Sequence, residues 1–371
     1  MDTRTVQERE DIVRIAGERM KEFIAHPPRD ARLWGIRTTS GTTGGVPLIV
    51  PHRYPPVRGR IFKERRMLQC YGSMSSRLSF SHVTHMRDTA GDSISLSLDG
   101  LDLGQGLERV LDEFEAEIIV GYPSFVARVS EHMSAGARAR VAHIRLSGEF
   151  IDDSLRRLFE ERFTHADVTA MYISAETGRL STFPCGHLPL NNYHPAPGVV
   201  VEIAEPGDDG AGDILISKDG KEEVLPFERY RVGDVGRIMS GSCPCGAAVT
   251  FEVLGRSGHD YLKLAGAIVR REEVERVARL LGLQEYLLEG LLKIRGGSLV
   301  GAFELSIVPT KSVGEGEAAR LAEVFSRELK LTPTRTLEAL VAEGLFEPLA
   351  VRFVAELPQG EKRLPLRMKR D

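Results

Sequence analysis

The chain has 371 residues, 42% of them hydrophobic and 27% charged, with a formal net charge of −4. This length can fill two or three cores, and the near-neutral balance argues against a general nucleic-acid binder, which carries a basic excess. No apolar run reaches the ~18 residues of a membrane span, and four cysteines in such a chain fit a reducing, cytoplasmic setting rather than a disulfide framework.

The first segment, "MDTRTVQEREDIVRIAGERMKEF", is charged from the start and lacks the apolar region of a secretory signal. Ile12, Val13, Ala16, Met20, Phe23 and Ile24 fall on one helical face, which predicts a helix. "RTTSGTTGGVPL", residues 37–48, follows as a loop. Ser40, Thr42 and Thr43 offer hydroxyls, and Gly41, Gly44 and Gly45 let backbone N–H groups approach an anion. It contains no lysine and is not a Walker loop, because G-x-x-x-x-G-K-[ST] is absent. "YPPVRGRIFKERRMLQCYG" reads as a basic helical stretch.

Strand and helix patterns then alternate. "DSISLSL" reads as a strand, "GLERVLDEFEA" as a helix and "EIIVGYP" as a buried strand. "PSFVARVSEHM" is a helix opening on Pro123, followed by the strand and turn "VAHIRLSGEF", the helix "DDSLRRLFEERF" and the strand "DVTAMYIS". Such alternation predicts an α/β sheet with parallel strands. Ligands in these sheets lie beyond the carboxyl ends of the strands, which points to "GYPS", "SGEF" and "YISAETG".

From about Tyr193 the runs become short and β-like: "GVVVEIAEP", "GDILISKDG", "RYRVGDVGRIM". Beyond "VLGRSGHDYLKLAG" a third texture reads helix (271–281), two strands, helix (315–329), a further helical stretch and a strand, a βαββαβ-like order. The expectation is a large domain over residues 1–255, β-rich over 193–255, and a small α+β domain over 256–371. Cys185, His187, Cys243 and Cys245 stand in two short clusters, "CGH" and "CPCG". They offer three thiolates and an imidazole, a tetrahedral Zn²⁺ set, with His194 as the alternative imidazole. The other reading is three reduced thiols without a metal, and Cys70 reads as core.

The motifs, taken in order, resemble those of the adenylate-forming superfamily of acyl- and aryl-CoA synthetases, most closely its phenylacetate–CoA ligase-like branch, in shortened form. "TSGTTGGVPL" is similar to the phosphate loop, "GYPSFVARV" to a T-P-S-Y turn and "LSGEF" to an S-G-E-P turn. "MYISAETG" is similar to the Y-G-x-T-E-x-G adenine motif, "GAGDILIS" to G-E-L-x-I-T and "RYRVGDVGRI" to Y-R-T-G-D. "CPCG" matches C-x-C-G, "GRSGHDYLKLAG" resembles the hinge G-R-x-D-D-x-I-K-x-x-G, and "LPQGEKRLPLRMKRD" resembles the segment with the catalytic lysine. The resemblance implies a large N-terminal adenylate-forming domain and a mobile C-terminal one. It also implies ATP-dependent activation of a carboxylic acid as acyl-AMP, then transfer to coenzyme A.

By the same resemblance, Ser40, Gly41, Thr42, Thr43 and Gly44 meet the phosphates, Tyr172 stacks on adenine and Glu176 holds Mg²⁺. Asp234 accepts from the ribose hydroxyls, although beside Gly233 it reads equally as a turn aspartate. Arg256 contacts ribose or phosphate, Asp260 is the hinge and Lys362 is the catalytic lysine, with Lys369 as competitor. Several positions depart from the family: Gly45 for a loop lysine, Ile173 for Gly, Ala175 for the Thr whose hydroxyl meets the α-phosphate, with Thr177 one step away, Glu361 between the Gly and Lys362, and a hinge motif one residue longer. Tyr122, Ser147, Phe150, His82 and His85 are candidates for the acid pocket. The expected partner is a small carboxylic acid, with neither nucleic acid nor membrane. A carrier-protein thiol or nitrogen acceptor, a homodimer, and a non-catalytic nucleotide- or acyl-binding role stay open. Gly45→Lys is expected to tighten ATP binding in calorimetric titration with little change in acid selectivity; unchanged affinity would mean that this loop does not meet the phosphates.

Overall fold

The computed structural model of the chain describes residues 5–26, 34–38, 48–53, 66–71, 94–98, 106–151, 153–174, 176–182, 185–218, 225–256, 261–265, 267–295, 298–310, 313–331, 335–357 and 366–368. The chain divides into two compact units at Ser257 and Gly258.

In the first unit, helix α1 (Arg9–Ala25) buries Ile12 and Ala16. It is followed by the antiparallel pair β1 (Trp34–Thr38) and β2 (Ile49–Arg53). Next come β3 (Arg66–Cys70), β4 (Ile94–Ser97), α2 (Leu107–Phe114), β5 (Ile118–Gly121), α3 (Pro123–Glu131), α4 (Ala135–Arg140), β6 (His143–Ser147), α5 (Asp153–Arg162) and β7 (Asp167–Met171). β3 to β7 form a five-stranded sheet in the order β4-β3-β5-β6-β7, parallel throughout. The expected α/β sheet is therefore present.

One expected element differs. The segment read as a basic helix contains β3, whose Met67, Leu68, Gln69 and Cys70 are all buried. Continuous burial on both faces is what a central parallel strand requires, and pairing with β4 and β5 outweighs the helical character of the "FKERR" residues before it. Arg66 at the strand's start is held by Glu115 (3.0 Å) and Glu117 (3.3 Å). Burial pushes the Cys70 thiol far up, in keeping with a core role.

One short antiparallel pair, β8 (Ile173–Ser174) with β9 (Gly178–Arg179), forms the turn after β7. β10 (Asn192–Tyr193), β11 (Val199–Ala204), β12 (Gly212–Lys218), β13 (Phe227–Met239) and β14 (Thr250–Arg256) build an antiparallel sheet in the order β10-β14-β13-β12-β11. The start of the chain is fastened to this sheet. Gln7 N–H donates to the Arg229 carbonyl (3.2 Å), and Arg231 N–H donates to the Gln7 carbonyl (3.0 Å). Arg231 also pairs with Glu8 (3.1 Å) and Asp213.

The second unit holds the pair β15 (Tyr261–Leu264) and β16 (Ala267–Arg270), then α6 (Arg271–Leu280), β17 (Glu285–Arg295), β18 (Ser298–Val308), α7 (Glu317–Glu328), α8 (Leu337–Ala342), β19 (Ala350–Phe353) and β20 (Leu366–Met368). β17 and β18 form a long antiparallel hairpin flanked by parallel edge strands, in the order β19-β18-β17-β20. Helix residues Val274, Val277, Leu321, Phe325, Leu337 and Leu340 close one core with Phe303 and Leu305 of β18. Phe303 stacks on Phe346 at 5.5 Å and 10°. Among the described residues, no helix is long and apolar enough to cross a membrane.

Candidate functional site

The loops beyond the carboxyl ends of β5 and β6 are bound to each other. Tyr122 caps α3 and Pro123 takes the first helical position, where its missing N–H costs nothing. The N–H of Ser124 at the same helix start donates to the Glu149 carboxylate (2.9 Å), an anion placed on the positive end of the helix. Tyr122 packs edge-on against Tyr71, 5.5 Å between ring centroids. Gly148 lies at φ +83°, and a Cβ there would come within 2.6 Å of the Tyr122 ring. Ser147, buried, and Tyr122 thus share one corner, while Phe150 is exposed at 42%. Of the expected pocket residues, these three are described; His82 and His85 lie outside the described residues.

Beyond β7, Tyr172 donates its hydroxyl to a carboxylate oxygen of Asp234. Its ring stacks on Tyr193 (5.7 Å, 26°) and meets Phe251 edge-on (5.9 Å). Its backbone N–H donates to Ser181 Oγ (2.9 Å). Burial, and then the Asp234 carboxylate, push the Tyr193 hydroxyl up.

Asp234 lies inside β13, not in a turn between elements. Between the pairs Asp213↔Val235 and Leu215↔Arg231, two steps on β12 face four on β13. The extra residues bulge around Gly233, at φ +79°, and such a bulge re-aims the side chains beside it. Across the ladder, the partner of Asp234 is Arg256. These two residues, both expected at the nucleotide, therefore sit opposite each other in the backbone.

Glu176 lies on the β8–β9 turn. It accepts from the Tyr230 hydroxyl (3.3 Å) and stands 4.0 Å from the Arg9 guanidinium. Tyr230 is four residues before Asp234 on β13, so one strand serves both carboxylates. Burial, with the Glu176 charge next, pushes the Tyr230 hydroxyl up. Thr177 is fully buried; its hydroxyl lies 2.7 Å from Ser174 Oγ, and its N–H donates to the same oxygen (3.1 Å). Thr177 therefore ties the turn together internally and does not face outward to a phosphate. Tyr193, Phe251, Tyr230 and Arg9 were not singled out by sequence, because each looks like an ordinary core or surface residue until the strands bring it to Tyr172 or Glu176.

A second grouping lies one residue away along the chain. The donor atoms of Cys185, His194, Cys243 and Cys245 all lie within 4.8 Å of one another. Cys185 and Cys243 sulfurs are 3.8 Å apart, and Cys245 Sγ is 3.3 Å from His194 Nε2. A tetrahedral Zn²⁺ with Zn–S near 2.3 Å sets its sulfurs about 3.8 Å apart, so the donor set fits that ion. His194 Nδ1 is 2.7 Å from the Val249 carbonyl, which fixes the tautomer with Nε2 as the free acceptor. The Ala247 N–H, followed by the Cys243 thiol, holds the Cys245 thiol down at about 7. His187 is exposed and outside this group. The imidazole beside the three thiols is thus that of His194, because β10 carries it back toward "CPCG".

Ser40, Gly41, Thr42, Thr43, Gly44, Gly45, Ala175, Asp260, Lys362 and Lys369 lie outside the described residues, as does the side chain of Arg256.

No protein-family model matches the sequence, and no curated protein matches it. Solved structures do align with the chain. 2-Hydroxyisobutyryl-CoA ligase, in complex with 2-HIB-AMP and CoA in the thioesterification state, matches over 99% of this chain and 80% of its own, at a TM-score of 0.56 and 15% identity. The same ligase in the postadenylation state with R3-HIB-AMP matches over 99% and 80%, at 0.51 and 15%. The amide bond synthetase McbA from Marinactinospora thermotolerans matches over 89% and 67%, at 0.52 and 17%. These are adenylate-forming ligases, and this chain has their fold.

Gly148→Ala is expected to cost about 1–3 kcal/mol in urea unfolding, because the new methyl must displace the Tyr122 ring from a backbone already at positive φ.

Proposed function

We propose that the chain is an acid–thiol ligase (AMP-forming): it activates a carboxylic acid with ATP and transfers the acyl group to a thiol, with coenzyme A as the acceptor. The observation that carries this reading is the grouping of Tyr172, Asp234 and Glu176. Motifs some sixty residues apart in sequence, each matching a nucleotide contact, meet through one strand, β13.

In this reading a carboxylate oxygen of the acid attacks the α-phosphorus of ATP, the bond to the bridging oxygen breaks and pyrophosphate leaves. The thiol then attacks the acyl carbon of the acyl-AMP, and AMP leaves. Tyr172 presents a ring for adenine, Asp234 accepts from the ribose hydroxyls, and Arg256 lies across the ladder from it. Glu176 is a hard oxygen donor suited to Mg²⁺, which is commonly held by one carboxylate plus substrate phosphates. That ion supplies charge neutralisation on the phosphates. Ser40, Thr42 and Thr43 provide hydroxyls to the phosphates, and Gly41 and Gly44 provide backbone N–H groups. Lys362 bridges the attacking carboxylate and the α-phosphate. Tyr122, Ser147 and Phe150, at the ends of β5 and β6, line the acid side together with His82. Asp260 is the pivot of the small domain. The fold likeness to an amide bond synthetase keeps a nitrogen nucleophile as the second reading of the acceptor.

ATP–pyrophosphate exchange over a panel of carboxylic acids tests the first step. Exchange with at least one acid, reduced by roughly 100-fold or more in Lys362→Ala, is expected; ATP binding without exchange for any acid would favour a non-catalytic binding role. Addition of CoA or of an amine then separates the acceptors. We also assign a structural Zn²⁺ to Cys185, His194, Cys243 and Cys245. Metal analysis of the purified chain is expected to give about one zinc per chain, lost in His194→Ala and kept in His187→Ala; retention in His194→Ala would overturn the donor set.

A further inference from the structure

We propose that Arg9, on the first turn of α1, is a triphosphate-facing cation of the nucleotide site. This rests on the reading of Glu176 as the residue at the metal and phosphates. Three observations support it.

The first is placement. Gln7 is hydrogen-bonded into β13 on both sides of Tyr230, and its side-chain carbonyl accepts from Glu228 N–H (2.9 Å). Glu8 is tied to Arg231, and its backbone N–H donates to the Asp11 carboxylate (3.1 Å). The residues around Arg9 are thus fixed, and the helix they open points its first long cation at the β8–β9 turn. The second is setting. The Arg9 and Glu176 side chains are only 15% and 14% exposed, unlike the other charged residues of α1 that pair on the surface, such as Arg14 with Glu18. A partly buried carboxylate poised for a metal carries a desolvation cost unless a cation stands near it. Arg9 supplies that charge, and the Tyr230 hydroxyl, which donates to Glu176, lies beside the pair.

The third is chemistry. At 4.0 Å the Arg9–Glu176 pair exceeds hydrogen-bond length, so no direct bond between the two has to break when Glu176 turns to a cation. Magnesium-bound ATP adds net negative charge to the site even after Glu176 has met the ion. A guanidinium is always charged, and its forked donors match two phosphate oxygens at once.

The test uses the full chain with Mg²⁺ and measures dissociation constants for ATP and AMP in the unsubstituted protein, Arg9→Ala and Arg9→Gln. The glutamine variant keeps a hydrogen-bond donor toward Tyr230 without the charge, which guards against loss of the helix anchor. Both variants are expected to weaken ATP roughly 10- to 100-fold while AMP, which lacks the outer phosphates, changes by less than about twofold. Equal losses for ATP and AMP would make Arg9 a structural anchor and overturn the inference, as would unchanged ATP binding. An unsubstituted protein that binds neither nucleotide would overturn the proposed function and this inference together; tight ATP binding in all three proteins would overturn this inference alone.

Discussion

The hydrogen bond from Tyr172 to Asp234 is the constraint on which the site depends, because it joins the end of a parallel sheet to a bulged strand of an antiparallel one. A hydroxyl donating to a charged acceptor contributes about 1.5–3 kcal/mol when water is kept away. Tyr193 and Phe251 pack against the Tyr172 ring and against each other. Each ring pair adds about 0.5–1.5 kcal/mol. The Cys/His donor set sits directly behind them. His194 follows Tyr193, and Thr250, whose hydroxyl lies 3.3 Å from His194 Nδ1, precedes Phe251. A metal held by these donors would stiffen the two strands that carry the aromatic platform.

A second physical theme is the placing of carboxylates. Glu176 is offered by a turn whose own polar groups are satisfied: Ser174 and Thr177 bond to each other, and Lys218 donates to the Thr177 carbonyl (3.3 Å). Glu176, on the same turn, is taken up instead by the Tyr230 hydroxyl and stands beside the Arg9 guanidinium. Asp234 is placed by the opposite device, extra residues that interrupt a ladder. Glu149 serves a third purpose, holding the start of α3 and with it Tyr122. Three acids in similar-looking motifs therefore do three different things, and their tertiary partners distinguish them: the Tyr230 hydroxyl for Glu176, the Tyr172 hydroxyl for Asp234 and the Ser124 N–H for Glu149.

The shared fold spans ligases that pass an activated acyl group to CoA or to nitrogen. A fold hosts many chemistries, so the likeness gives the architecture, and the chemistry has to be argued from this chain's own residues and the way β13 brings them together. The short N-terminal segment also has a place in that set, because it zips onto β13 beside Tyr230 rather than lying apart from the sheet.

The alternating strand and helix patterns, the Pro123 helix start and the β-rich middle were legible in the amino-acid order, since local periodicity and turn residues report directly on burial. Tyr172, Glu176 and Asp234 were singled out by the resemblance of short motifs to those of a known family, and the structure places Tyr172 against Asp234. Tertiary structure alone decided that Arg66–Cys70 is a central strand, that Asp234 sits on a bulge and that Thr177 turns inward. It alone chose His194 over His187 and brought Arg9 to Glu176. Each of these depends on pairing between segments far apart in the chain. Such pairing leaves no periodic trace in the sequence, because its free energy belongs to both partners at once.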